Sequence, residues 1–179
     1  MRFDKFTVKA QEAVQTAQAL AEAQQHQAVE PEHLLLALIQ QQEGIIRPLV
    51  AKLGARPEAL SRQMESELRK LPQVRGAGGQ YISPRLKEAF DRAWAEAERF
   101  KDEYCGTEHL LIALSQDKDG AAGQILRQHG VRSEAIYQAL VEVRGSQRVT
   151  DQNPEEKYQA LQRYSRDLTE VARKGKLDP

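Results

Sequence analysis

Between Ser83 and Asp102 the apolar residues Leu86, Phe90, Ala93, Ala97 and Phe100 recur at steps of three and four, the period of one helix face. Val8, Ala13, Val14, Ala17 and Ala21 do much the same near the start. No stretch sustains two-residue alternation, so the pattern predicts an all-α chain. Boundaries follow from punctuation. Thr7 and Ser83 predict N-caps, whose side-chain oxygens accept from first-turn amides, and Thr107 and Ser133 predict two more. Pro31, Pro57 and Pro84 suit first-turn positions, where a missing N–H costs nothing. Gly44, Gly54, Gly120 and Gly130 mark breaks or C-terminal caps. The pattern predicts four helices, a linker, four helices, a second linker and a final helix.

These breaks recur at one interval. Shifted by 76 residues, the sequence overlays on itself without a gap, and 18 of the 63 positions from Phe6 to Leu68 are identical. Glu32-His33-Leu34-Leu35-Leu36-Ala37-Leu38 falls on Glu108-His109-Leu110-Leu111-Ile112-Ala113-Leu114, and Gly44 and Gly54 fall on Gly120 and Gly130. Helical composition would scatter Ala and Leu matches; it would not align both glycines and both Glu-His pairs in one register. The expectation is two tandem pseudo-symmetric four-helix repeats, 1–70 and 83–145. A Gly-rich linker at 71–82 joins them, a flexible linker follows at 146–154, and a last segment at 155–179 carries a C-terminal helix. Tyr158, Leu161, Tyr164, Leu168 and Val171 form that helix's narrow apolar stripe, which needs something to lie against.

Charge narrows the partners. The 179 residues carry 26 Lys+Arg against 26 Asp+Glu, a balance that gives no footprint for nucleic acid. No polybasic segment seeks a membrane, and the run Leu34–Ile39 is far short of the roughly 20 apolar residues a spanning helix needs. The first six residues lack the apolar stretch of a signal peptide. A single Cys105 suits a reducing compartment, so a cytoplasmic location is expected.

The Glu-His-Leu-Leu signature in a duplicated unit resembles the Clp N-terminal domain, found at the front of AAA+ unfoldases. Leu71-Pro72-Gln73-Val74, Lys157-Tyr158-Gln159-Ala160-Leu161, Tyr164-Ser165-Arg166-Asp167-Leu168-Thr169-Glu170 and Gly175-Lys176-Leu177-Asp178-Pro179 are similar to the ClpB disaggregase family, where they join the N domain to the first ATPase module. One string departs: Thr107-Glu108-His109-Leu110 is closer to the ClpC relatives. The resemblance implies a fragment of a hexameric, ATP- and magnesium-dependent machine that extracts polypeptides from aggregates alongside a DnaK-type chaperone. The chain itself has no G-x-x-x-x-G-K-[ST] phosphate loop. It is therefore expected to be no enzyme and to hold no cofactor, and to be cut just inside the first ATPase module.

Candidate sites are few. The four histidines form no H-E-x-x-H pattern, and adjacent Glu-His side chains point about 100° apart on a helix, which rules out chelation of one ion by a pair. No catalytic or metal residue is expected, and Cys105 reads as a small packed cysteine. Glu32 and Glu108 fall in first helical turns, where the helix dipole favours a carboxylate. The family resemblance implies a second role, substrate handling, which carries onto Thr7, Asp102 and Glu108. A module for unfolded chains also needs apolar surface, and the seam between the repeats points to Phe90, Trp94, Leu110 and Leu111, with Val14 opposite Phe90. Trp94 overlays on Gln18, a position less suited to deep core. Two functions stand: a domain that binds unfolded or aggregated polypeptide for an ATPase ring, and an adaptor-docking module without a substrate groove.

Overall fold

A computed structural model of the chain describes residues 3–76, 79–145, 147–156 and 158. A 3-10 turn at Phe3–Lys5 leads into α1 (Val8–Ala23), β1 (Ala28–Val29), α2 (Pro31–Gln40), α3 (Ile46–Lys52) and α4 (Pro57–Arg69). The second half runs β2 (Tyr81–Ile82), α5 (Pro84–Arg99), α6 (Thr107–Ser115), α7 (Ala121–Gln128) and α8 (Ser133–Arg144). The all-α expectation holds, with four helices in each repeat and two-residue strands as the described extended pieces.

The caps show how the chain starts each element. Thr7 Oγ1 accepts from Ala10 N–H at 3.2 Å, and Ser83 Oγ from Leu86 N–H at 3.1 Å. Pro31, Pro57 and Pro84 each open a helix as expected. Thr107 and Ser133 do not cap: they are the first helical residues, and Gly106 and Arg132 hold the cap positions. The repeat register explains the one-residue shift, because Thr107 and Ser133 overlay on the helix-opening Pro31 and Pro57. Gly54 and Gly130 follow α3 and α7 with φ of 89° and 81°, the left-handed region that glycine enters without steric cost.

The two repeats exchange their leading segments. β2, at the start of the second repeat, pairs in parallel with β1 of the first, and Phe6, at the start of the first, bridges Cys105 of the second. Phe6 overlays on Ile82 and Val29 on Cys105, so the two pairings are copies of each other. At the centre stand α2 and α6. Every residue from Pro31 to Ile39 and from Thr107 to Ser115 is buried, which is why these helices are apolar all round rather than on one face. Neither central helix carries Lys or Arg; among the described helices these fall on the outer ones that wrap them. Leu110 and Leu111, expected at an accessible seam, are part of this central core.

The linker expectations meet a more tied chain. Val74 N–H donates to Gln25 O at 2.9 Å, so the 71–82 crossing is held at its start and, through β2, at its end. Past α8 the described residues do not leave the domain. Val8 N–H donates to Gln152 O and Glu103 N–H to Val149 O, both at 2.8 Å, and Val149, Glu155 and Tyr158 are buried. Where a flexible linker was expected at 146–154, residues 147–154 form a strap against the first turn of α1 and the loop between α5 and α6. Leu161, Tyr164, Leu168 and Val171 of the expected final helix lie outside the described residues.

Candidate functional site

The Glu-His pairs turn out to be fasteners. His33 Nδ1 accepts from Glu30 N–H at 2.9 Å, and His109 Nδ1 accepts from Gly106 N–H at 2.8 Å. That leaves the proton on Nε2 in each neutral ring. His33 donates it to His26 Nδ1, and His109 donates it to Asp102 Oδ2, both at 2.8 Å. His26 overlays on Asp102, so one device is built twice with different acceptors. Burial lowers the pKa of all three imidazoles, taking His33 down to about 4.

Glu32 and Glu108 occupy equivalent helical turns and meet different surroundings. Glu32 takes Arg85 Nη2 at 3.0 Å and the Ala122 N–H at 3.0 Å, while Arg85 also donates to Asp117 at 2.7 Å. This ties α2 to the second repeat. Glu108 is fully buried, and neither of its oxygens has a hydrogen-bond partner among the described residues. His109 Nδ1 lies 3.5 Å away, but its lone pair is already engaged by Gly106. Burial first, and the Glu155 carboxyl second, push Glu108 up to about 8.

Thr7, Asp102 and Glu108, the three residues brought by family resemblance, do gather in one place. Their common neighbour is the strap. Thr7 Oγ1 donates to Glu155 Oε1 at 2.6 Å; Asp102 Oδ1 accepts from Arg144 Nη2 at 2.7 Å and from Val149 N–H at 2.8 Å. All three are buried in this arrangement, and Thr7 and Asp102 tie the strap to the rest of the domain. Sequence reasoning did not find Glu155 and Arg144, because both sit beyond the repeat overlay or at its last position. Cys105 is buried beside them, and burial raises its thiol well out of the nucleophilic range. Among the described residues, no group of three metal-ligating side chains is set to hold an ion.

Accessible apolar surface lies elsewhere. Phe90 is buried and Trp94 half-buried on α5. Phe90 packs edge-to-face on Phe6 and Phe3, at 5.7 and 5.6 Å between ring centroids. Phe3 is the outward member of this cluster, 42% exposed. Beside it runs a shallow groove of about 310 Å³ along α1, lined by Phe3, Asp4, Gln11, Val14, Gln15 and Gln18. Val14, expected at the seam between the repeats, lines this groove but is itself buried; Phe3 was not expected, since it precedes the overlaid positions and nothing in the overlay speaks for it.

Comparison with known proteins agrees with this architecture. Residues 5–129 match the family model of the Clp repeat (R) N-terminal domain. The chain belongs to the Clp N-terminal domain family. The whole of this Clp N domain chain is 44% identical over 184 residues to the chaperone protein ClpB of Nitratidesulfovibrio vulgaris, covering 21% of that protein. The chain thus spans about a fifth of the length of the curated ClpB relatives it matches. In structure it resembles the Hsp104 N-terminal domain of Candida albicans, with a TM-score of 0.74 at 25% identity over 84% of this chain and 99% of that one. A ClpV N-domain in complex with a VipB peptide shares the fold alone, with a TM-score of 0.65 at 18% identity over 78% of this chain and 86% of that one. This Clp N domain is therefore a chaperone N domain in kind. No helix among its described residues is long and apolar enough to cross a membrane.

Proposed function

We propose that this domain binds segments of unfolded or aggregated polypeptide in the cytoplasm and passes them to the ATP-driven ring of a ClpB-type hexamer working with a DnaK-type chaperone. The groove beside Phe3 carries the reading. An unfolded chain presents apolar side chains together with unpaired backbone N–H and C=O groups. Phe3 offers apolar surface to the first, and the exposed Gln15 and Gln18 offer amide donors and acceptors to the second. Such contacts are indifferent to sequence, and a shallow groove holds its occupant weakly enough to release it. The ClpV relative, alike in fold, holds a peptide. With no phosphate loop in the sequence, nucleotide chemistry falls to the ring, and the chain acts as a binding domain rather than an enzyme.

Anisotropy of labelled, permanently unfolded casein titrated with the 179-residue chain tests this. Binding is expected to saturate, and Phe3→Ser is expected to weaken it about fivefold, the loss of roughly 1 kcal/mol of apolar contact. Equal affinity for wild type and variant, or no binding, would overturn the groove. Adaptor docking would then be the better account of the domain.

A further inference from the structure

The strap covers an interior in which charge does not balance. Asp102, Glu108 and Glu155 bring three carboxyl groups together, all in buried residues. One guanidinium answers them from α8: Arg144 spends Nη2 on Asp102 and on the Gln147 carbonyl, while its Nη1 has no hydrogen-bond partner among the described residues. His109 is not a second cation, because Nδ1 accepts from a backbone amide and Nε2–H alone serves Asp102. Lys9, from α1, is partly buried 3.4 Å from Glu12, and its charge favours the ionised form of Glu155 without a hydrogen bond to it. Cys105 and Tyr158 face the cluster without charge, and the Tyr158 hydroxyl, both Glu108 oxygens and Glu155 Oε2 lack hydrogen-bond partners among the described residues.

The first repeat shows the balanced version. There Glu32 receives Arg85, whose counterpart in the overlay is Lys9. Lys9 is placed beside Glu12 instead, so Glu108 has no hydrogen-bonded cation among the described residues, and the strap adds a further acid, Glu155. The two carboxyls crowd the same space: a Cβ on Gly106 would collide with Glu108 Oε1 and stand 3.3 Å from Glu155 Oε1. Two ionised carboxylates so placed, out of water and with Arg144 and Lys9 acting on them only through space, cost more than one neutral acid beside one carboxylate.

We propose that residues 147–156 form a proton-dependent latch, docked while the Glu108–Glu155 pair keeps at least one proton and detached once both carboxyls ionise. The groups behave accordingly. Burial raises Glu108 to about 8 and raises Glu155 as well, against an ordinary carboxyl value near 4.5 for each. The docked state therefore binds more protons than the detached one, and docking weakens as pH climbs from the ordinary carboxyl range through about 8. The proton leaves to solvent, and Thr7, Asp102 and Glu108 become surface residues of the domain. The latch needs no ligand, so it stands apart from the groove reading.

Amide hydrogen exchange on the full chain reads the latch directly, because Val8, Glu103 and Val149 donate their N–H groups across the strap contact. After correction for intrinsic exchange, their protection is expected to fall at least about tenfold between pH 6 and pH 9, while amides of α2 and α6 change little. In the chain carrying Glu108→Gln with Glu155→Gln, protection should stay level across that range. Unchanged protection in the wild type would overturn the latch, as would intrinsic-rate exchange at both pH values. So would an equally steep fall in the double variant with its core amides intact. If that variant fails to fold, as its core amides would reveal, the wild-type pH series decides alone.

Discussion

Arg85 opens the second repeat and places its Nη2 3.0 Å from Glu32 Oε2 in the first, with Asp117 on the same nitrogen at 2.7 Å. One arginine thus answers acids from both halves. Arg85 sits between carboxylates that are themselves buried, Glu32 and Asp117, so removing it leaves charge behind rather than merely deleting a contact. Arg85→Met is expected to cost about 2 kcal/mol, below the usual loss for a fully buried pair because the guanidinium is one-third exposed. Urea denaturation measures it. A loss within a few tenths of a kcal/mol would mean that the Arg85 ion pairs add nothing to the cohesion of the two repeats.

Thr7 does two jobs with one oxygen, accepting from Ala10 N–H and donating to Glu155. Thr7→Ala removes both and is expected to cost about 1–2 kcal/mol, whereas Thr7→Ser keeps the hydroxyl and most of the stability. Thermal unfolding of the two variants separates these roles. Equal losses would show that the methyl group, not the hydroxyl, matters at this position.

Much of this was legible beforehand, and the reasons differ by element. The central helices announced themselves as apolar runs, Leu34–Ile39 and its copy, and the ungapped overlay carried the duplication. The overlay would also have corrected the Thr107 and Ser133 caps, had the two prolines been used to set the register. What the overlay could not show was exchange. That Phe6 pairs with Cys105 while β2 pairs with β1 is a relation between repeats, and sequence identity within repeats does not encode it. The gathering of Thr7, Asp102 and Glu108 came from family likeness. Their burial depends on Glu155 and Tyr158, whose sequence signal pointed to a separate helix.

His26 and His33 are buried as a neutral pair, and burial lowers the pKa of each below its ordinary value of 6.5. For a base with a lowered folded-state pKa, the unfolded chain takes up protons first. The stability contributed above pH 6.5 is therefore lost as pH falls toward about 4. His26→Asp gives His33 the acceptor that His109 already has, and should flatten this acid loss. Melting temperatures at pH 7, 5.5 and 4.5 test it; the same slope in both proteins would contradict the assignment.

Gly123 lies inside α7 where a Cβ would collide with the Asp117 carbonyl oxygen and stand 2.9 Å from Arg127 Nη1. Arg127 donates to that same carbonyl at 2.9 Å. Alanine is the better helix former, yet here Gly123→Ala should destabilise by about 1–3 kcal/mol through overpacking. A stabilised variant in chemical denaturation would show that the α6–α7 turn yields easily.

The most direct test of the central claim is an amide NMR map of the full chain titrated with permanently unfolded casein. Engagement through the groove predicts progressive shifts centred on Phe3, Val14, Gln15 and Gln18, extending through Phe90 toward Trp94. No shifts at millimolar concentration, or shifts confined to the α3–α8 side around Lys52 and Glu142, would contradict it.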